Sequence, residues 1–145
     1  MLQRKSTAVW RGSGLEGSGE LNSQSGALKG LPYTFSGRFI SPDGKAGTNP
    51  EELIGAAHAG CFAMQLAVDL SQAGLIPDEL RVSANVKLEK EEGGFTIAGI
   101  HLELEGRVRG VEPSKFQAFA DAAKKNCPVS RALASTPITL SARLL

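Results

Sequence analysis

From Leu53 to Val68 the chain carries no charged residue, and the flanking residues mark this run as the inside of a helix. Asn49 is a capping residue type, Pro50 suits the first helical position, and Glu51 and Glu52 suit the positive end of the helix dipole. Gly74 fits the left-handed position just past the far end, and Pro77 stops any continuation. A helix over 50–73 is therefore expected, roughly 36 Å long at about 1.5 Å per residue. Being apolar on all sides, it must be enclosed by a sheet, a partner helix or another subunit. Small residues at Gly55, Ala56, Ala57, Ala59, Gly60 and Ala63 let another backbone come close. The uncharged run is too short for a membrane span and carries His58 and Gln65, so no membrane association is expected.

The rest of the chain must supply the enclosure. Before the helix, recurrent glycines from Gly12 to Gly30 punctuate short strands, with "TAVWRG" and "GELNS" the best strand segments. The stretch "SPDGKAGTNP" at 41–50 reads as a loop. After the helix, Val82, Ala84, Val86 and Leu88 alternate with Ser83, Asn85, Lys87 and Glu89, which is a half-buried strand. "EEGG" turns it into a second strand from Phe95. There the apolar parity slips between Ile97 and Ile100, and a bulge near Ala98–Gly99 reconciles the two phases. A second helix is expected from Pro113 to Asn126 with Phe116, Phe119, Ala120 and Ala123 on its apolar side. A short third helix and a last strand, with Ile138, Leu140, Ala142 and Leu144 on one face, complete the chain. No repeat, linker or low-complexity segment interrupts it, so 1–145 is expected to be a single α+β domain, two main helices against sheet.

Composition excludes several function classes. A formal net charge of +1 with scattered charges offers no basic stripe for nucleic acid, and 6% aromatic residues provide no base-stacking surface. The first residues, "MLQRKSTAVWRGSG", show no apolar run and no small-residue cleavage site, so a cytoplasmic location is expected. In a reducing compartment the two cysteines, Cys61 and Cys127, are open to redox chemistry, metal binding or plain burial rather than a permanent staple.

Cys127 has the stronger local case. In "NCPVSRAL" Pro128 opens a helix, which makes Cys127 the capping residue, its sulfur facing free N–H groups that favour thiolate; a cap without redox role is the plain reading. Cys61 lies mid-helix among apolar residues, where desolvation raises a thiol pKa, so it is either an inert core residue or a thiol activated by a cation from elsewhere in the fold. His58 shares a helix face with Cys61 and reads as its partner or as a hydrogen-bonded core residue. His58, Cys61, His101 and Cys127 add up to a zinc-type donor set, but their spacing fits no common finger or ribbon. Glu51 and Arg38 read by default as helix-start electrostatics and a surface charge.

"GTNPEELIGAAHAGCFAMQLA" followed some sixty residues later by "CPVSRAL" resembles the osmotically inducible protein C/organic hydroperoxide resistance (OsmC/Ohr) family of bacterial thiol peroxidases, and "AVWRGSG" and "PYTFSGRF" extend the likeness along the chain. The resemblance implies a peroxidase with two cysteines and no metal or bound cofactor. Cys61 matches the attacking thiol and Cys127 the resolving one, while Glu51 matches the glutamate that holds an active-site arginine. Gly17–Leu21 offers no arginine of the Ohr kind, whereas Arg38 in "SGRF" matches that of the OsmC branch, which "AAHAGCF" also favours. The fold implied is OsmC-like, with a long buried central helix, antiparallel-rich sheets and an intertwined homodimer. Organic hydroperoxides are the implied substrates, against an apolar wall for which Phe39, Phe62 and Met64 are candidates. The implied reductant is an external dithiol, such as a dihydrolipoyl group. The competing readings are a non-catalytic member binding a small apolar ligand at the dimer interface and a structural stress protein with inert cysteines.

Overall fold

A computed structural model describes all residues, Met1–Leu145, and the chain divides into two compact units, Met1–Leu53 and Ile54–Leu145. In the first, β1 (Ser6–Arg11), β2 (Ser18–Ser23) and β3 (Leu31–Tyr33) form an antiparallel sheet in that order. The first two strands lie where the turn glycines put them. The third, and the single-turn helix α1 (Phe35–Phe39) after it, were not foreseen. The signal was Thr34, whose hydroxyl caps α1 by accepting from the Gly37 N–H at 3.0 Å.

The helix read first in the sequence is α2, Pro50–Gln72. Asn49 caps it as expected, Oδ1 accepting from the Glu52 N–H at 2.8 Å. Its far end closes on Gly74 at φ +78°, with the Leu75 N–H reaching back to the Leu70 carbonyl at 2.9 Å and the Gly74 N–H to that of Ser71 at 3.0 Å. By length and composition α2 is long and apolar enough to cross a membrane, which corrects the expectation that the apolar run is too short. One stripe of α2 packs into the core. Phe62, Leu66 and Leu70 enter a hydrophobic core with residues of the second sheet and second long helix, and His58 is buried in the same stripe.

In the second unit, β4 (Pro77–Glu91), β5 (Gly94–Val108) and β6 (Ile138–Leu144) form a sheet in that order, β5 central, antiparallel to β4 and parallel to β6. Lys87 pairs with Gly99 and Leu88 with Ile97, so Ala98 is the extra residue of the expected bulge. Past it Ile100, Leu102, Leu104 and Val108 all point into the core. They meet Phe116, Ala120 and Ala123 of α3 (Pro113–Asn126), and α4 (Pro128–Ala132) follows directly. The architecture is the expected α+β class, helices against antiparallel-rich sheets.

One expectation is only half met. The enclosure of α2 is one-sided: Phe62, Leu66 and Leu70 are fully buried, while Ala56, Ala57, Gly60, Met64 and Val68 are exposed, Met64 at 72% and Val68 at 44%. The protein's long helix therefore has a packed stripe and an open apolar one.

Candidate active site

Four side chains singled out in the sequence form two pairs, one in each unit. In the first, α1 carries Arg38 and the first turn of α2 carries Glu51. Nε of Arg38 donates to both Glu51 carboxylate oxygens at 3.2 Å, and Nη2 donates to Oε1 at 2.7 Å. Such a fork fixes the plane of a guanidinium as well as its position. The same guanidinium lies 4.7 Å from the centroid of the Phe39 ring, and the Glu51 side chain is 9% exposed. Neither residue is therefore a freely solvated surface charge. Arg38 and Phe39 help line a cleft of about 220 Å³ with Trp10, Tyr33 and Phe35. Of the other two candidates for an apolar wall, Phe62 is fully buried in the core of the second unit, and Met64 lies on the open stripe of α2.

In the second unit the sulfurs of Cys61 and Cys127 lie 2.8 Å apart, the Cys127 thiol donating to Cys61, and both cysteines are free. Cys127 is fully buried at the α3–α4 junction, where one residue ends one helix and begins the next. Its N–H closes α3 on the Ala123 carbonyl at 2.9 Å, and its own carbonyl accepts from Arg131 at 3.0 Å to open α4. Its sulfur caps neither helix. This corrects the expectation that the start of α4 activates Cys127. The backbone N–H of Val129, in the first turn of α4, turns to Cys61 instead. Burial pushes the Cys61 thiol above its ordinary pKa, the neighbouring Cys127 adds to this, and the Val129 N–H pulls the other way.

His58 does not bond to Cys61. Its Nε2 lies 2.6 Å from the Ser130 hydroxyl of α4, both side chains are buried, and Nδ1 has no partner. Burial holds its pKa below the ordinary value, keeping the ring neutral. The zinc-type set does not assemble: His101 bonds Thr139 at 2.6 Å and Ser141 at 3.2 Å on β6, and no group of three or more His, Cys, Asp or Glu side chains could hold a metal ion. Ser130 and the Val129 N–H are the groups the sequence reading missed. A serine one turn past the second cysteine was the visible trace of the first; a backbone donor leaves none.

A family model of OsmC-like proteins matches residues 42–141, and the chain is 43% identical to the Escherichia coli protein named peroxiredoxin OsmC over 99% of this chain and 97% of that one. This chain belongs to the OsmC family. It is also 36% identical, over 66% of each chain, to an organic hydroperoxide resistance protein of Xanthomonas axonopodis. Among solved structures, the crystal structure of an organic hydroperoxide resistance protein from Elizabethkingia anophelis superposes with a TM-score of 0.72 at 26% identity, covering 100% of this chain and 98% of that one. An OsmC-like protein of unknown function from Vibrio cholerae, 14% identical, shares the fold at a TM-score of 0.77, covering 98% and 99%. Both structures align along nearly the full length of this chain.

Proposed function

We propose that this chain is a thiol peroxidase that reduces organic hydroperoxides to alcohols, in defence against oxidative and osmotic stress. The observation that carries the reading is the pair of free sulfurs 2.8 Å apart, on elements 66 residues apart in sequence, in a chain 43% identical to a peroxiredoxin OsmC. The Cys61 thiolate attacks the terminal oxygen of ROOH; the S–O bond forms, the O–O bond breaks, and the alkoxide leaves as ROH after taking a proton. Cys127 then attacks the sulfenic sulfur, the S–S bond forms, and the oxygen leaves as water. An external dithiol, for which a dihydrolipoyl group has the right chemistry, reduces the disulfide back to two thiols and is itself oxidised. The sulfurs must approach by less than an ångström to reach a disulfide length of about 2.05 Å.

Arg38 and Glu51 complete the reading. Burial opposes the Cys61 thiolate, and the catalytic cation assigned to offset it is Arg38, which also donates to the departing alkoxide. Glu51 is the residue that positions it. It holds the guanidinium through Nε and Nη2, which leaves the Nη1 donors unused by this pair. The aromatic cleft beside Arg38 favours an organic substituent on the peroxide.

The same reading makes 1–145 one OsmC-like domain, since the family match runs across the boundary between the two units. It makes the protein an intertwined cytoplasmic homodimer, with the open apolar stripe of α2 covered by a second copy. The test is to mix reduced protein with about one equivalent of cumene hydroperoxide and count thiols. Both are expected to disappear and to return with a dithiol; unchanged thiols overturn the proposal. Cys127→Ser is expected to leave a trappable sulfenic acid on Cys61, and Cys61→Ser to abolish peroxide consumption.

A further inference from the structure

The two-cysteine cycle makes no use of His58, yet this is a fully buried polar side chain with one hydrogen bond and one unpaired ring nitrogen. An apolar side chain of the same volume would fill its space without leaving Nδ1 unpaired, so the bond to Ser130 is what the imidazole adds. Nε2 and Ser130 Oγ, 2.6 Å apart, share that bond whichever of the two carries the proton.

The placement of this bond is specific. His58 stands three residues before Cys61 on α2, and Ser130 stands three residues after Cys127 on α4. The two helices therefore meet at two points one helical turn apart, sulfur to sulfur at 2.8 Å and imidazole to hydroxyl at 2.6 Å. Helix α4 has only five residues, with Val129 and the Leu133 that follows it packed against the core. To that non-directional packing the imidazole–hydroxyl bond adds a directional contact, which fixes the turn that follows Cys127. The same short helix carries the Val129 N–H that turns to Cys61.

We propose that the His58–Ser130 hydrogen bond is a positioning clamp that holds the start of α4, and with it the Cys127 thiol, against Cys61. The clamp sets the effective concentration of one thiol at the other, and so how readily the disulfide closes. This deepens the two-cysteine reading and rests on it for biological meaning, but its test needs no peroxide.

The full-length protein is equilibrated with mixtures of reduced and oxidised dithiothreitol, and the constant for exchanging two protein thiols for the Cys61–Cys127 disulfide is measured. In Ser130→Ala and in His58→Leu it is expected to fall about tenfold, the scale of one neutral hydrogen bond. In His58→Gln, whose amide can donate to or accept from the Ser130 hydroxyl in place of Nε2, it is expected to stay within about twofold of the parent. Treated with cumene hydroperoxide, Ser130→Ala and His58→Leu are expected to hold the Cys61 sulfenic acid long enough for a dimedone trap to capture it. A parent-like constant in Ser130→Ala or His58→Leu overturns the clamp, as does a His58→Gln constant as low as that of His58→Leu. Should Ser130→Ala fail to fold, His58→Leu against His58→Gln decides alone, because leucine fills the ring's volume. If the clamp pattern holds while the parent's thiols survive cumene hydroperoxide, the peroxidase reading fails and the clamp stands.

Discussion

At the scale of single residues, the second unit holds a thiol that burial makes reluctant to ionise and a histidine that burial makes reluctant to protonate. The histidine's effect on stability has a definite sign. Its folded pKa lies below the ordinary 6.5, so the unfolded chain binds the proton more readily, and the stabilisation present above pH 6.5 is lost as pH falls below it. Urea denaturation at pH 7.5 and 5.5 is expected to show that loss, at most about 1.4 kcal/mol per pH unit, and His58→Leu is expected to flatten the slope. Arg38 is tested by kinetics. Arg38→Met is expected to lower kcat/KM for cumene hydroperoxide by about 10²–10³-fold, the size of one lost donor to developing negative charge. Glu51→Gln keeps the cation but weakens the fork, so a smaller loss, about tenfold, is expected. The roles proposed for Cys61, Arg38 and Glu51 come from the motifs around them, because no local rule singles these residues out. Local chemistry alone pointed to Cys127 as the activated thiol, because a cap position predicts where N–H groups lie but not which sulfur they meet. The partner of Cys61 was 66 residues away, and the partner of His58 was 72, distances over which no periodicity carries information.

At the scale of elements, strong periodicity was readable and weak periodicity was not. The start of α2 was set by Asn49 and its end by Gly74, and the parity slip in β5 located the Ala98 bulge, because each is a local rule with one structural solution. The three-residue β3 and five-residue α1 are too short for a period to show. Within the second sheet, Gly106 of β5 makes room for α3: a Cβ there would lie 2.5 Å from Cζ of Phe116, a fully buried ring, and 3.3 Å from Leu80 Cδ2. Gly106→Ala is therefore expected to destabilise by about 1–3 kcal/mol through overpacking, seen as a lower urea midpoint at unchanged slope. Adding Phe116→Leu to shorten the ring is expected to recover part of that loss.

At the scale of the whole molecule, α2 presents apolar residues in two directions, and only one direction is covered. The uncharged run showed that a cover was needed; it could not show that this chain supplies half of it, since enclosure by a sheet and by a second subunit leave the same pattern. If a second copy supplies the rest, Met64→Asp at the centre of the open stripe is expected to shift sedimentation from dimer to monomer and to lower solubility less than it lowers peroxidase activity. An unchanged dimer would place the contact elsewhere. The division of labour between the units has a consequence for what kind of oxidant the protein answers to. The residues that can store two electrons as a pair of thiols, Cys61 and Cys127, belong to Ile54–Leu145, and the charge proposed to neutralise a departing alkoxide, on Arg38, belongs to Met1–Leu53. If Arg38 acts as proposed, a reagent such as diamide is expected to depend on it only through the Cys61 thiolate, while hydroperoxides are expected to depend on it also through donation to the alkoxide. On that proposal, electron capacity and the preference among electrophiles are written in different stretches of the chain.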